Sequence, residues 1–187
     1  MALADVQSAL ARLFTDESLR ARFFDDPTAL GRSLGLDDRE ASDLAGLSRD
    51  HVSHFAATLR HKRVDDARRY LPLTAAALGD GFAPHLLAAI GGPSPPGRHR
   101  DDARALVEDL ATVDEPAWAA DLARYELTFR EAMGRGFVVL VRRFRYPVGR
   151  LASAIRRGGV PPEIRPRPTI GVWLRIPGRR GVVHRVL

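Results

Sequence analysis

The chain has 187 residues, enough for one or two domains with cores of their own. It contains no cysteine, which excludes disulfides, thiolate metal sites, thiol nucleophiles and redox pairs. Its net charge of +6 is uneven: residues 137–187 hold twelve arginines against one acid, Glu163, a net +11 that leaves −5 for the first 136 residues.

Asp5 and Arg12 interrupt the N-terminal apolar stretch, and no apolar run approaches the roughly 18 residues of a membrane span, so a soluble cytoplasmic protein is expected. The first ninety residues read as short helices with their own caps. Asp16 caps a helix reaching Phe24, Asp26-Pro27 restarts one that stops at Gly35, and Asp37 opens another ending near Gly46. Ser48 caps the longest pattern, whose apolar Val52, Phe55, Ala56 and Leu59 give way to Lys62 and Arg63 before Ala67, Tyr70 and Leu71 resume the stripe. Asp65 and Asp66 are spaced to pair with Lys62, Arg63, Arg68 and Arg69 on the helix surface. Pro72 and Gly79 bound a short helix, residues 82–90 make another, and GGPSPPG at 91–97 reads as a hinge.

Residues 101–113 are helical in pattern. Asp114-Glu115-Pro116 then starts a helix with Trp118, Leu122, Tyr125, Phe129 and Met133 on one face, the spacing of a core helix. The character changes at Gly134 and Gly136. Residues 137–146 read as a strand, Pro147 begins a helix with Val148, Leu151, Ala152 and Ile155 inward, and Gly158-Gly159 ends it. Four prolines between 161 and 168 keep the return extended. Ile170, Val172, Leu174 and Ile176 then alternate with Gly171, Trp173 and Arg175, and the turn PGRRG leads into 182–187, a closing β-hairpin. The expected fold class is α+β: a helical domain over 1–134 and a small basic strand-helix-hairpin domain over 135–187.

Catalytic signatures are sparse. His51, His54 and His61 share one helix, and with Asp50 they have the residue types of a metal site, but their spacing fits solvated helix histidines better. No GxSxG elbow, Walker loop or HExxH occurs, and Gly134-Arg135-Gly136 lacks the rest of a dinucleotide fingerprint. Asp25-Asp26, Asp37-Asp38 and Asp101-Asp102 all fall at helix starts, where carboxylates cap free N–H groups. No catalytic residue, metal ligand or cofactor is assigned to this chain.

The segments HFAATLRHKRVDDARRYLPLTAAALGDGFAPHLLAAI, DLARYELTFREA, RYPVGRL and VWLRIPGRRGVVHRVL resemble successive blocks of the partner proteins of multinuclear non-heme iron-dependent oxidative enzymes. That family includes the methanobactin-biosynthesis partner subunit and relatives once labelled DNA-binding. The resemblance runs over most of the chain from about Leu10, and the RYPV-helix-strand-hairpin block carries most of it. It implies a non-catalytic subunit whose C-terminal domain is akin to peptide-recognition elements of ribosomal-peptide pathways. Such a subunit captures the leader of a precursor peptide and presents its core to the enzyme, which holds the irons.

On that reading the leader adds a strand beside the final hairpin. Trp173 and Arg175 share one strand parity and are expected to offer an aromatic platform beside a carboxylate clamp. Val183 and Arg185 lie on the expected open edge, strand 137–145 being the alternative edge, and Arg142, Arg143 and Arg145 draw in acidic leader residues. The alternative is a nucleic-acid binder that grips phosphates with the basic hairpin. Against it, no helix pattern presents a basic face with Asn, Gln or Arg gathered at its N-terminal end for base readout.

Overall fold

The computed structural model describes residues 3–90, 99–113, 116–134, 136–159, 164–178 and 181–187. The expected hinge at 91–97 lies outside the described residues, as do Pro161, Pro162, Asp114-Glu115 and the two arginines of the PGRRG turn. The fold is α+β: mostly helices, with a small antiparallel sheet near the C-terminus.

The described residues fall into two compact units, those within 3–65 and those within 66–90 and 99–187. The first holds α1 (Leu3–Thr15), α2 (Glu17–Asp25), α3 (Pro27–Ser33), α4 (Asp38–Ala45) and most of α5 (Arg49–Tyr70). The starts of α2, α3 and α4 are set by carboxylates. Asp16 accepts from Leu19 N at 2.9 Å, Asp26 from Ala29 N at 3.0 Å, and Asp37 exchanges hydrogen bonds with Glu40 in a full capping box. The backbone hydrogen bond from Leu19 is the main reason that the Asp16 carboxyl titrates below its ordinary value. Leu13, Leu19, Phe23, Leu30 and Leu44 fill this unit's core. Within α5 the buried residues are Val52, Ala56, Val64 and Ala67, a helical period that leaves Lys62 outside. Asp66 pairs with Arg69 at 3.4 Å, one of the surface pairings that the spacing suggested.

The second unit contains α6 (Pro72–Leu78), a 3-10 turn (Gly79–Gly81), α7 (Phe82–Ala89), α8 (His99–Leu110), α9 (Ala119–Ala132), β1 (Val138–Phe144), α10 (Val148–Arg156), β2 (Thr169–Arg175) and β3 (Val183–Val186). The composition break at 134/135 falls inside this unit. Leu122, Tyr125 and Ala132 of α9 share one core with Phe144, Val148, Leu151 and Trp173, so the basic C-terminal segment is built onto α9 and does not stand beside it.

Two buried carboxylates on α9 make that assembly. Leu71, at the start of α6, has no side-chain cap to offer, and Glu126 replaces it from across the core. Its carboxylate accepts from Leu73 N at 2.8 Å and from Thr74 N and Oγ1 at 2.7 Å. Burial nonetheless pushes its pKa above the ordinary carboxylate range. Asp121 accepts from Arg145 N at 2.6 Å and Tyr146 N at 2.9 Å, which fixes the turn from β1 into α10, and it also pairs with Arg124. Arg130, on the same helix, donates to the carbonyls of Arg69 and Tyr70, placing a cation at the C-terminal end of α5.

The sheet order is β1-β2-β3, antiparallel throughout. Val138 pairs with Arg175, Leu140 with Trp173 and Arg142 with Gly171, while Trp173 pairs with His184 and Leu174 with Val183. Trp173 lies across Gly171. A Cβ at position 171 would collide with the indole and stand 3.1 Å from Phe144 Cε2, so only glycine admits the ring there.

Candidate peptide-binding site

Strand alternation divides the predicted site residues between two faces. Toward α9 and α10 point Val138, Leu140, Arg142 and Phe144 of β1, Gly171, Trp173 and Arg175 of β2, and His184 and Val186 of β3. Away from them point Val139, Val141, Arg143, Ile170, Val172, Leu174, Val183 and Arg185. The shared parity of Trp173 and Arg175 holds, but their side is the covered one.

Trp173 is 0 % exposed and packs on Tyr125, Phe144 and His184, so it is a core residue and offers no platform to a ligand. Its Nε1 is buried without a hydrogen-bond partner. Arg175 reaches back to Met133 O at 3.2 Å, and Arg142 lies 3.6 Å from Glu131, a carboxylate that also holds Arg100 and Arg104. Those two guanidinium groups brace the strands against α9 and its C-terminal end. In β1 both parities are largely apolar, and in β2 the more apolar parity, Ile170, Val172 and Leu174, is the outward one, so the period alone does not find the inner face; the bulk of Trp173 fitted to Gly171 decides it.

His184 completes the inner face. Its ring stacks on Trp173, and its Nε2 lies 3.0 Å from the Tyr125 hydroxyl, within hydrogen-bonding distance. The residue as a whole is exposed, but partial desolvation of the ring first and the charge of Arg156 second hold its pKa below the ordinary histidine value.

Arg143 and Arg185 remain exposed on the outer face with Val183, and neither makes a salt bridge among the described residues. Arg145 is also exposed; its guanidinium lies over the Tyr146 ring while its backbone N–H is held by Asp121.

Both β1 and β3 are sheet edges. Ile170 and Leu187 exchange both backbone hydrogen bonds, which sets the alternation along the ladder. Val183 and Arg185 therefore turn their N–H groups to β2, and His184 and Val186 turn theirs to the outside. The free donors of β1 are, by the same count, Val139, Val141 and Arg143. Val183 is thus a pairing residue inside the hairpin and not a donor to an incoming strand.

Beside the end of β3 lies an open groove of about 1170 Å³ between α10 and the return at 164–169. Gly149 lets α10 come close to β3 there, since a Cβ at 149 would stand 3.3 Å from Val186 Cβ. Val186 and Leu187 form part of the wall, and Arg150, Arg157, Arg165 and Arg167 line the groove. Sequence reasoning passed over these four arginines, though Gly149 inside an amphipathic helix was a readable sign of close approach.

No protein-family model matches the chain, and no curated protein matches it. Among the described residues, no three His, Asp or Glu side chains gather as a metal would need, and His51, His54 and His61 are exposed. No described helix is long and apolar enough to cross a membrane.

Proposed function

We propose that this chain is a non-catalytic cytoplasmic partner subunit that binds the leader of a ribosomally made precursor peptide and presents its core to a multinuclear non-heme iron oxidative enzyme. The sequence resemblance suggests the pathway. The observation that carries the binding mode is the unpaired edge of β3 opening on an arginine-lined groove. An extended peptide laid along β3 takes backbone hydrogen bonds from His184 and Val186, and its alternate side chains enter the groove over Val186 and Leu187. Acidic leader residues meet Arg150, Arg157, Arg165 and Arg167, which supply steering and bidentate anchoring. Relative to the sequence expectation, the anchoring arginines move from Arg142 and Arg175 to this groove, and Trp173 supports the sheet from beneath.

The test has two stages. Co-expression with an iron enzyme encoded beside it should give a stable complex on size exclusion, and a labelled leader should bind the chain by fluorescence anisotropy. Val186→Pro, which deletes a free edge donor, should weaken leader binding, whereas Val141→Pro on the β1 edge should not. The reverse pattern would move the leader to β1. Unchanged affinity in both folded variants would end the strand-addition model. Duplex DNA binding that is sequence-specific and persists at physiological salt would instead favour the nucleic-acid alternative.

A further inference from the structure

The outer face of the sheet is apolar where an antiparallel sheet with one covered side ordinarily turns polar residues to water. Three rows cross it: Arg143, Ile170 and Leu187; then Val141, Val172 and Arg185; then Val139, Leu174 and Val183. Val139, Val141, Ile170 and Val183 are 48–59 % exposed, and Phe137 and Ile176 extend the patch beyond the third row. Contiguous apolar surface of this kind marks a contact site in proteins that remain soluble.

We propose that this face docks one amphipathic helix of a partner protein, with an apolar stripe flanked by acidic side chains. Size argues for a single helix. Three strands span about 10 Å from first to last, close to the roughly 10 Å width of a helix, and three rows extend about 14 Å along the strands, some nine helical residues. Charge argues for acidity. Arg143 on β1 and Arg185 on β3 flank the apolar rows from opposite edges of the sheet, without salt bridges among the described residues. The same sign argues against a second copy of this chain, because face-to-face pairing would bring together two segments that each carry net +11 by sequence. The inference does not rest on leader binding, which uses the β3 edge and the groove.

The experiment uses the full chain and three labelled synthetic peptides. The first is a helix with leucines at i, i+3, i+4 and i+7 and glutamates elsewhere; the second replaces glutamate by lysine; the third has the first one's composition with the stripe scrambled. The striped acidic peptide should bind, and the other two should bind at least about ten-fold more weakly, since both stripe and charge are required. Val141→Glu should abolish binding, and the double variant Arg143→Glu, Arg185→Glu should shift preference to the lysine peptide. All three positions are exposed, so circular dichroism should show an unchanged fold. Equal binding of the striped and scrambled acidic peptides would overturn the proposal, because the groove arginines alone would then explain it. It would also be overturned by sedimentation showing a dimer of this chain that Val141→Glu dissolves.

Discussion

Arg142 and Arg143 are neighbours on one strand, yet they belong to different parts of the molecule. Arg142 faces α9 and pairs with Glu131; Arg143 faces solvent beside Val141 and Ile170 with no salt bridge among the described residues. The same division runs across the whole sheet. Inward, Asp121 holds the β1–α10 turn and Tyr125 meets His184, and among the described residues the Trp173 N–H is the buried side-chain polar group left without a partner. Outward, Val139, Val141, Ile170 and Val183 are exposed, and Val172 and Leu174 between them are half-buried. A strand of period two makes two surfaces from one sequence, and here one of them builds the fold while the other is left for contact.

The largest effect that tests this division is expected at Trp173. Trp173→Ala should cost about 3–5 kcal/mol in denaturant unfolding, the range for deleting a large buried aromatic. Trp173→Phe should cost clearly less, because it removes an unpartnered buried N–H along with the volume. A wild-type-like stability for Trp173→Ala would mean that the inner face is not the core. Asp121→Ala comes next. It orphans two backbone donors, Arg145 N and Tyr146 N, and should cost about 2–4 kcal/mol, with Asp121→Asn recovering part of the loss through its one remaining acceptor oxygen.

The titrating groups give an intermediate effect with opposite signs. Glu126 has a raised pKa, so between the ordinary carboxylate value and its own the folded state binds the extra proton, and stability falls as pH rises through that window. His184 has a lowered pKa, so below the ordinary histidine value the unfolded state binds the extra proton, and stability falls as pH drops toward the folded value. Melting temperatures across pH 4–8 for Glu126→Gln and His184→Gln, set against the unchanged protein, should show each slope removed separately. Loss of neither slope would mean that these groups titrate alike in folded and unfolded chains.

The smallest effects, at Arg142 and on the outer face, complete the comparison. Arg142→Ala should lose up to about 1 kcal/mol, as for a half-exposed ion pair, while Arg143→Ala and Val141→Thr should stay within about 0.5 kcal/mol of the parent. A destabilisation by Val141→Thr as large as that from Asp121→Ala would show that the outer valines are already packed against something in the free protein.

Local structure was legible wherever one residue acts on its own neighbourhood. Asp16, Asp26 and Asp37 announce their helices because a carboxylate satisfies N–H groups three residues away, whatever the rest of the chain does. The inward set of α10, Val148, Leu151, Ala152 and Ile155, follows from helical spacing in the same way. The antiparallel pairing of β2 with β3 follows from two alternating segments flanking a glycine-rich turn.

Tertiary structure decided what depends on partners distant in sequence. Glu126 reads as an ordinary surface acid of α9 until α6, some fifty residues earlier, presents its uncapped N–H groups. The roles of Trp173 and Val183 reversed for the same reason. Parity shows that Trp173 and Arg175 share a face, but only the packing of α9 and α10 on Phe144 and Gly171 selects that face as the inner one. Sequence likewise marks Val183 as a strand residue, whereas the Ile170–Leu187 register fixes where its N–H points. The period of β1 is apolar in both parities and that of β2 is more apolar on the outward side, so long-range packing, and not the period, selects the inner face.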